Sequence, residues 1–464
     1  MAKEKRENDL GKDPIGPLLL RLALPTVTAQ LVNALYNIVD RMYIGHIEGV
    51  GDLALTGLGV CFPVIMFVSA ISALVGMGGA SRAVVRMGEG KPEQANAILG
   101  NCALLLVLLS AAVTALFLAV QEPMLYLFGA TENTIGYAKD YLTIYLIGTI
   151  FVELSLGLNY FITSQGFSTT AMATVLIGAV INIVLDPVFI FGFGMGVRGA
   201  ALATILAQAV SAVWVVRFLC GKRTQLRLQK RYFHLNWSVL APVLTLGLSP
   251  FIMQSTESLV NIAFNSSLRG FGGDPAVGAM TICSSVMQVF SMLFQGLSQG
   301  AQPIIGYNYG ACHLRRVRQT FRLLFLSAVT FSTATWAVIE LFPGLFVALF
   351  NDQPALVEIA TWTLRVYVAC MFMMGIQFSC QQTFVALGEA KISLFLALLR
   401  KIILLIPLIY ILPYFFENNV LAVFLAEPAA DFLAATTTGL IFLWRFPRIL
   451  RRRARGEGPA KQGA

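Results

Sequence analysis

The feature that most constrains this chain is a succession of twelve apolar stretches, each long enough to cross a bilayer and each bounded by a short polar turn. A helix needs about 20 mostly apolar residues to span the hydrocarbon core. Such stretches run near 15–43, 52–80, 94–120, 136–163, 168–194 and 198–220, and again near 240–268, 277–306, 319–343, 357–386, 392–415 and 420–446. The segment between the two sets, Gly221 to Trp237, is polar and basic. Hydrophobic residues make up 57% of the chain and charged residues 12%, and a soluble fold so poor in charge would expose apolar patches large enough to aggregate. The pattern predicts an all-α integral membrane protein of twelve transmembrane helices. Its parts are a tail (1–13), a six-helix N-lobe (14–220), an inter-lobe loop (221–238), a six-helix C-lobe (239–446) and a basic tail (447–464).

Charge placement predicts the orientation. The net charge of +9 raises the question of a nucleic-acid partner. The basic residues, however, sit in short runs between apolar stretches, as cytoplasmic loops beside anionic lipid do. Most of the 33 Lys and Arg lie in the N-terminal tail, the 81–92, 221–238 and 307–318 loops, the 387–391 turn and the tail from Arg445 to Lys461. The opposite side holds Arg41, Lys139, Arg198, Arg269 and Arg365. Both termini are therefore expected in the cytoplasm, with the lipid bilayer and not nucleic acid as partner. The N-terminus is polar up to Asp13, so the first apolar helix is expected to serve as its own insertion signal. The seven cysteines are scattered without ligand spacing, so no metal or cofactor is expected.

The halves resemble each other. Pro25, Gly45 and Thr56 recur as Pro250, Gly270 and Thr281; Gly79-Ala80 as Gly300-Ala301; Leu127-Phe128 and Tyr145 as Leu349-Phe350 and Tyr367; Gly166 as Gly388. The order is kept and the spacing drifts only slightly, as after duplication with a small insertion or deletion. Six spans per half is an even number, so both halves enter from one side as parallel repeats. Two bundles that rock about a shared cleft suit a transporter.

Ionisable groups at membrane depth are costly unless paired or hydrated, and each is a functional candidate. The candidates are Asp40, Glu153 and Asp186 in the N-lobe and Glu257 in the C-lobe. Glu427 and Asp431 lie where Arg269 and Arg365 are expected to neutralise them. Helical spacing puts Gln30, Asn33, Asn37 and Asp40 on one face, Thr174, Gly178, Asn182 and Asp186 on another, and Gln254, Glu257, Asn261 and Asn265 on a third. Ser284, Gln288, Ser291 and Gln295 run along a fourth. Polar stripes cannot face lipid. They either hold helices together or line a wet cavity, and Gln30, Asn33, Asn37, Asn182, Gln254, Asn261, Gln288, Gln295 and Met287 are read as lining the substrate cavity. Burial favours a neutral carboxyl, whereas a bound cation favours the ionised one. Proton and cation thus compete for the same groups, which is the basis of antiport. A Na⁺ ion would sit near Asp40, Asn182 and Asp186. His46, His234 and His313 lie in loops or at span ends, which argues against a histidine proton wire.

These residues resemble the MATE family of multidrug and toxic compound extrusion transporters. The run Asn37-Ile38-Val39-Asp40-Arg41-Met42-Tyr43-Ile44-Gly45 is similar to its first-helix signature. The run from Asn182 through Asp186-Pro187 to Phe191 is similar to that of the bacterial MepA-type branch. Gln299-Gly300-Ala301-Gln302-Pro303 with Gly306, Tyr307, Asn308, Tyr309 and Gly310, and Glu427-Pro428 with Asp431, resemble the family's eighth and twelfth helices. The resemblance implies two lobes around a V-shaped cavity and export of cationic or amphiphilic compounds in exchange for H⁺ or Na⁺, with a monomer in the bacterial cytoplasmic membrane. It implies transport roles for Glu153 and Asp186, places Asp40 at an N-lobe cation site, and sets Glu257 at a C-lobe position with a looser match. A lipid-linked oligosaccharide flippase of the same superfamily is the alternative; it would need a basic cavity. No HExxH pattern is present, and an enzyme is not expected.

Overall fold

The computed structural model describes residues 8–350 and 354–456, so residues 1–7 and 457–464, with Lys461 of the basic tail, lie outside the described residues. Lipid offers no hydrogen bonds to a backbone, so each span must satisfy its own and does so as a helix. In the first half these are α1 (Ile15–Gly45), α2 (Gly51–Gly88), α3 (Pro92–Ala119), the short α4 (Gln121–Leu127), α5 (Ile135–Ile147), α6 (Thr149–Ser164), α7 (Ser168–Pro187) and α8 (Val197–Cys220). The second half holds α9 (Trp237–Gly310), α10 (Leu314–Leu341), the short α11 (Pro343–Ala348), α12 (Pro354–Val368), α13 (Met374–Ala386), α14 (Ala390–Leu398), α15 (Ile406–Ile411) and α16 (Asn419–Ala454).

Counted as continuous apolar helices, ten are long enough to span a membrane, and α5 with α6 form an eleventh, bent by 57°. The twelfth comes from α9. Its 74 residues would measure about 110 Å as one rod, far more than a bilayer's thickness. The helix breaks at Gly273, where φ is +64, a conformation that glycine adopts without steric cost. Two spans result, and the described residues form twelve membrane-spanning segments, as the apolar stretches predict.

The lobes interleave at one end. The first turns of α1 (Leu18, Leu22, Ala23) pack in a core with Ile304, Phe384 and Phe442 of the second half. The last turn of α1 (Ile44) packs with Val64, Leu142 and Val197 of the first half. Val243, at the start of α9, likewise enters a first-half core with Leu99 and Phe161. The inter-lobe hydrogen bonds lie in the same half of the molecule. Thr26 Oγ1 donates to the Gly296 carbonyl at 2.6 Å, Asn308 Nδ2 to the Leu10 carbonyl at 2.8 Å, and Ser69 Oγ to Gln254 Oε1 at 3.3 Å near mid-membrane. Beyond that point, Asn261, Asn265 and Gln288 are exposed. Such amides cannot face lipid, so the lobes part there. The cleft is closed at the end that bears the basic loops and open at the other.

Candidate ion-coupling site

Asp40 is carried on α1 and Asp186 on the last turn of α7, where Pro187 ends the regular α-helix and a wider turn over Val188–Gly192 follows. Both side chains are buried. Their carboxyl groups lie close enough to interact electrostatically, and Asp40 Oδ1 and Asp186 Oδ2 receive no donor. Asn182, one turn before Asp186, donates through Nδ2 to Asp186 Oδ1 at 3.2 Å and to Thr204 Oγ1 at 3.3 Å. Its own Oδ1 is buried and free. Three buried oxygens of this cluster are thus without donors. Two negative charges at this distance repel strongly in a poorly polarisable interior, and one proton or one small cation between them removes the repulsion. An all-oxygen set suits a hard cation or a proton, not a soft metal. Among the described residues, no group of three His, Cys, Asp or Glu could hold a metal ion.

Glu153, on α6, is also fully buried. Its Oε2 accepts from Ser72 Oγ at 3.0 Å, and its Oε1 has no partner. Tyr145 lies between this carboxyl and Tyr36, which stands beside the aspartate pair. Tyr141 stacks on Tyr145 with ring centroids 6.3 Å apart. These phenols therefore lie within electrostatic range of the acidic positions.

The C-lobe is built differently. Its carboxylates are met by two basic residues of a wide helical turn, Leu399–Leu405, between α14 and α15. Arg400 Nε lies 2.6 Å from Asp431 Oδ1 and Arg400 Nη2 lies 3.2 Å from Glu427 Oε1. Lys401 Nζ lies 3.0 Å from Glu257 Oε1. Between the lobes, Phe67 and Phe251 meet edge to face at 5.8 Å and, with Ser69 and Gln254, floor the cleft; within the C-lobe, Gln381 donates to the Met253 sulfur at 3.2 Å.

The MatE family profile matches the chain twice, over residues 25–188 and 250–411. The chain belongs to the MatE family. The double match also carries the duplication read from the repeat, since each half answers to the same profile. Relatives include the multidrug export protein MepA of Staphylococcus haemolyticus (strain JCSC1435), 24% identical over 421 residues, which are 90% of this chain and 91% of MepA. A FAD transporter of Shewanella oneidensis (strain MR-1) is 26% identical over 440 residues, 92% of this chain and 94% of that one. Among solved structures, a MATE crystal structure in the bent conformation shares the fold at a TM-score of 0.88. It is 24% identical, with 94% of this chain and 96% of that chain covered. Family and relatives are transporters, and the MatE protein is a multi-pass membrane protein.

The structure brings Asp40, Asn182 and Asp186 together and keeps Glu153 on a separate partner. Gln30, Asn33 and Asn37 are half-buried along α1, with Asn37 Nδ2 donating to the Asn33 carbonyl at 2.7 Å. Gln254 sits at the cleft floor, Asn261 and Gln288 are exposed beyond it, and Gln295 is half-buried. Two expectations are corrected. Met287 is not a cavity residue: it is buried in the C-lobe core with Phe264 and Phe294, as an apolar side chain on the inward face of its helix must be. Arg269 and Arg365 are not the partners that neutralise Glu427 and Asp431. Arg400 is, because it lies within the bilayer on the neighbouring helix rather than at a span end.

Sequence reasoning does not single out Tyr36, Tyr141, Thr204, Arg400 or Lys401, and reads Tyr145 only as part of the repeat. Tyr141, Tyr145, Thr149 and Glu153 recur every four residues, a stripe of the same kind as those on the other helices. The adjacent bases Arg400-Lys401 in the middle of an apolar stretch were an equally legible signal.

Proposed function

We propose that this MatE protein is a secondary active exporter that moves cationic or amphiphilic small molecules out of the cell in exchange for H⁺ or Na⁺. It works by alternating access, as a monomer in the bacterial cytoplasmic membrane with both termini inside. The observation that carries this reading is the Asp40–Asp186 pair, in which one buried oxygen of each carboxyl lacks a donor and whose mutual repulsion is relieved by one proton or one cation at a time. Since the same oxygens accept either, binding of one expels the other, and the closed basic end forces the exchange to occur from one side in each state. Glu153 is the second N-lobe acid of this cycle.

The test is ethidium transport in proteoliposomes under an imposed pH gradient, with and without Na⁺. Gradient-driven transport that Asp186→Asn abolishes, in protein that still inserts, is the expected result. Normal transport by that variant overturns the N-lobe mechanism.

A second cargo class is suggested by the Shewanella relative named a FAD transporter: an anionic dinucleotide. A pyrophosphate-bearing cargo, FAD or a lipid-linked oligosaccharide, needs free positive charge in the cavity. Arg400 and Lys401 are both engaged by carboxylates, which supports the cationic cargo. Saturable binding of FAD or of a lipid pyrophosphate by the purified protein would reverse the preference.

A further inference from the structure

We propose that residues 8–13 act as a latch in the transport cycle: Asn308 and Arg316 seat this strap on the C-lobe, and its release from the N-lobe turn at Gly166 lets the basic end of the cleft open. The proposal rests on the alternating-access reading above and gives a task to the run Gly306–Gly310, which the ion-coupling site does not use.

The strap is compact and well anchored on one side. Asp9 Oδ1 accepts from the backbone N–H groups of Gly11 and Lys12 at 2.9 and 3.0 Å, and the Asp13 N–H donates to the Asp9 carbonyl at 3.0 Å. Leu10 is 4% exposed and packs in the core that holds Leu18, Ile304 and Phe384. The C-lobe makes three hydrogen bonds to the strap's backbone. Asn308 Nδ2 donates to the Leu10 carbonyl at 2.8 Å, and Arg316 Nη2 donates to the Leu10 and Asp13 carbonyls at 3.1 and 2.7 Å. Asn308 also orients the arginine. Its Oδ1 accepts from Arg316 Nε at 3.0 Å, and His313 Nδ1 lies 3.3 Å from the same oxygen. One buried amide thus sets both donors against the strap, which makes Asn308 a positioning residue.

The hold on the N-lobe is lighter. Asn8 Nδ2 donates to the Gly166 carbonyl at 3.0 Å, and the Leu10 and Asn8 side chains lie against Gly166. That turn is not free to follow the strap. Gln165 Oε1 ties it to the inter-lobe loop by accepting from Thr224 Oγ1 and the Gln225 and Leu226 N–H groups at 2.6, 3.0 and 2.8 Å. The run around Asn308 lies on the seam itself, since a Cβ at Gly88 of α2 would overlap the Tyr307 carbonyl. When the lobes part at this end, a segment bonded to both must let go of one. Three hydrogen bonds hold the strap to the C-lobe and one holds it to the N-lobe, so it leaves the Gly166 turn.

The experiment is a reversible cross-link in the full-length protein. A Cβ on Gly166 would stand 3.7 Å from the Asn8 Cβ, a separation found in disulfides. The double variant Asn8→Cys, Gly166→Cys is made with the exposed Cys220 and Cys312 replaced by Ser. It is expected to lose gradient-driven ethidium transport on oxidation with copper phenanthroline and to regain it with dithiothreitol, whereas each single-cysteine variant responds to neither. Ethidium binding should persist in the oxidised protein, which separates a held latch from a damaged fold. Undiminished transport by the oxidised protein, or failure of the disulfide to form, overturns the latch. Should Gly166→Cys fail to fold, labelling carries the test. Asn8→Ala is expected to speed cytoplasmic thiol-reagent labelling of a cysteine at Ser81 about fivefold, the population change that loss of one hydrogen bond brings. Asn308→Asp, which keeps the acceptor for Arg316 and withdraws the donor from Leu10, should speed it likewise. The two together should add nothing to the faster single variant, since both release one strap. Unchanged labelling in Asn8→Ala overturns the latch, and additive effects overturn the positioning role of Asn308. Failure of the parent reading looks different: the wild-type protein would carry no ethidium under the gradient.

Discussion

Arg453, in the last turn of α16, places a guanidinium nitrogen 2.9 Å from Glu89 Oε1, just past the end of α2 in the other lobe. The same guanidinium donates to the carbonyls of Tyr309 and Gly310 at 3.1 and 2.7 Å, and Arg86 meets the second Glu89 oxygen at 2.6 Å. Three helix ends are thereby tied together at the closed end of the cleft. Burial works against charge on Glu89, but the hydrogen bonds and charges of Arg86 and Arg453 outweigh it and hold the carboxyl below the usual carboxylate range. A carboxyl lowered on folding contributes stability above its ordinary value and loses it as the pH falls through the lowered one. The clamp is therefore expected to hold at neutral and alkaline pH and to loosen only in acid. Arg453→Ala leaves the Gly310 carbonyl and Glu89 Oε1 without their donor, at a cost of about 1–3 kcal/mol. Spin-label distances between the basic ends of α2 and α9 should widen in this variant; unchanged distances would assign the clamp no part in closure.

Asp186→Asn removes one of the two facing charges in the N-lobe. The repulsion that a proton or cation relieves is then gone, so ethidium affinity should fall by at least tenfold, which is about 1.4 kcal/mol. Folding stability should hold or rise, because a buried charge has been replaced by an amide of the same shape. Calorimetric titration and thermal unfolding check the two halves of this prediction. A loss of both affinity and stability would make Asp186 a structural residue.

Arg400 is the reverse case. It is the only basic group in direct contact with Asp431 and Glu427 among the described residues. Arg400→Gln leaves two buried carboxylates without a cation, and truncating one partner of a buried ion pair costs about 3–5 kcal/mol. The variant should be produced in low yield and melt early. The triple variant Arg400→Met, Glu427→Gln, Asp431→Asn, which removes every charge of the pair set, should recover most of that stability. Fluorescence-detected thermal unfolding of the two proteins gives the comparison, and equal melting points would show that the ion pairs are unimportant to the fold.

Much of this architecture was legible in the sequence because the bilayer imposes length and apolarity on each span. The duplication was legible because turns repeat: Gly166 and Gly388, 222 residues apart, both adopt left-handed φ values, +88 and +80. Asp40, Asn182 and Asp186 were legible because a polar stripe inside an apolar helix has few explanations. What escaped was pairing across helices. Periodicity places Glu427 and Asp431 on one face but does not say which neighbouring helix they meet, so bases at span ends were chosen over Arg400. It marks Met287 as apolar without saying whether its face turns to the core or to the cleft. The break in α9 depended on a single glycine, although the expected turn between residues 268 and 277 was correctly placed.

The tightest approach between the lobes is at Gly247 on α9, where a Cβ would overlap the Leu74 carbonyl of α2; Gly78, one turn along α2, packs in turn against Val243 and Gly247. Backbone meets backbone there, so no side chain can yield. Gly247→Ala must push α2 and α9 apart, and overpacking of this kind costs typically about 1–3 kcal/mol. Since the contact exists only where the cleft is closed, the cost falls on the closed basic end and shifts the population toward the state in which that end is open. Gly59, on the same α2, has open space where its Cβ would be, so Gly59→Ala is the matched control. Thiol-reagent labelling of a cysteine introduced at Ser81, on the lining of the small inter-lobe cavity at the basic end, should accelerate in Gly247→Ala and not in Gly59→Ala. Equal labelling rates in the two backgrounds would mean that this contact does not govern which side of the cleft is open.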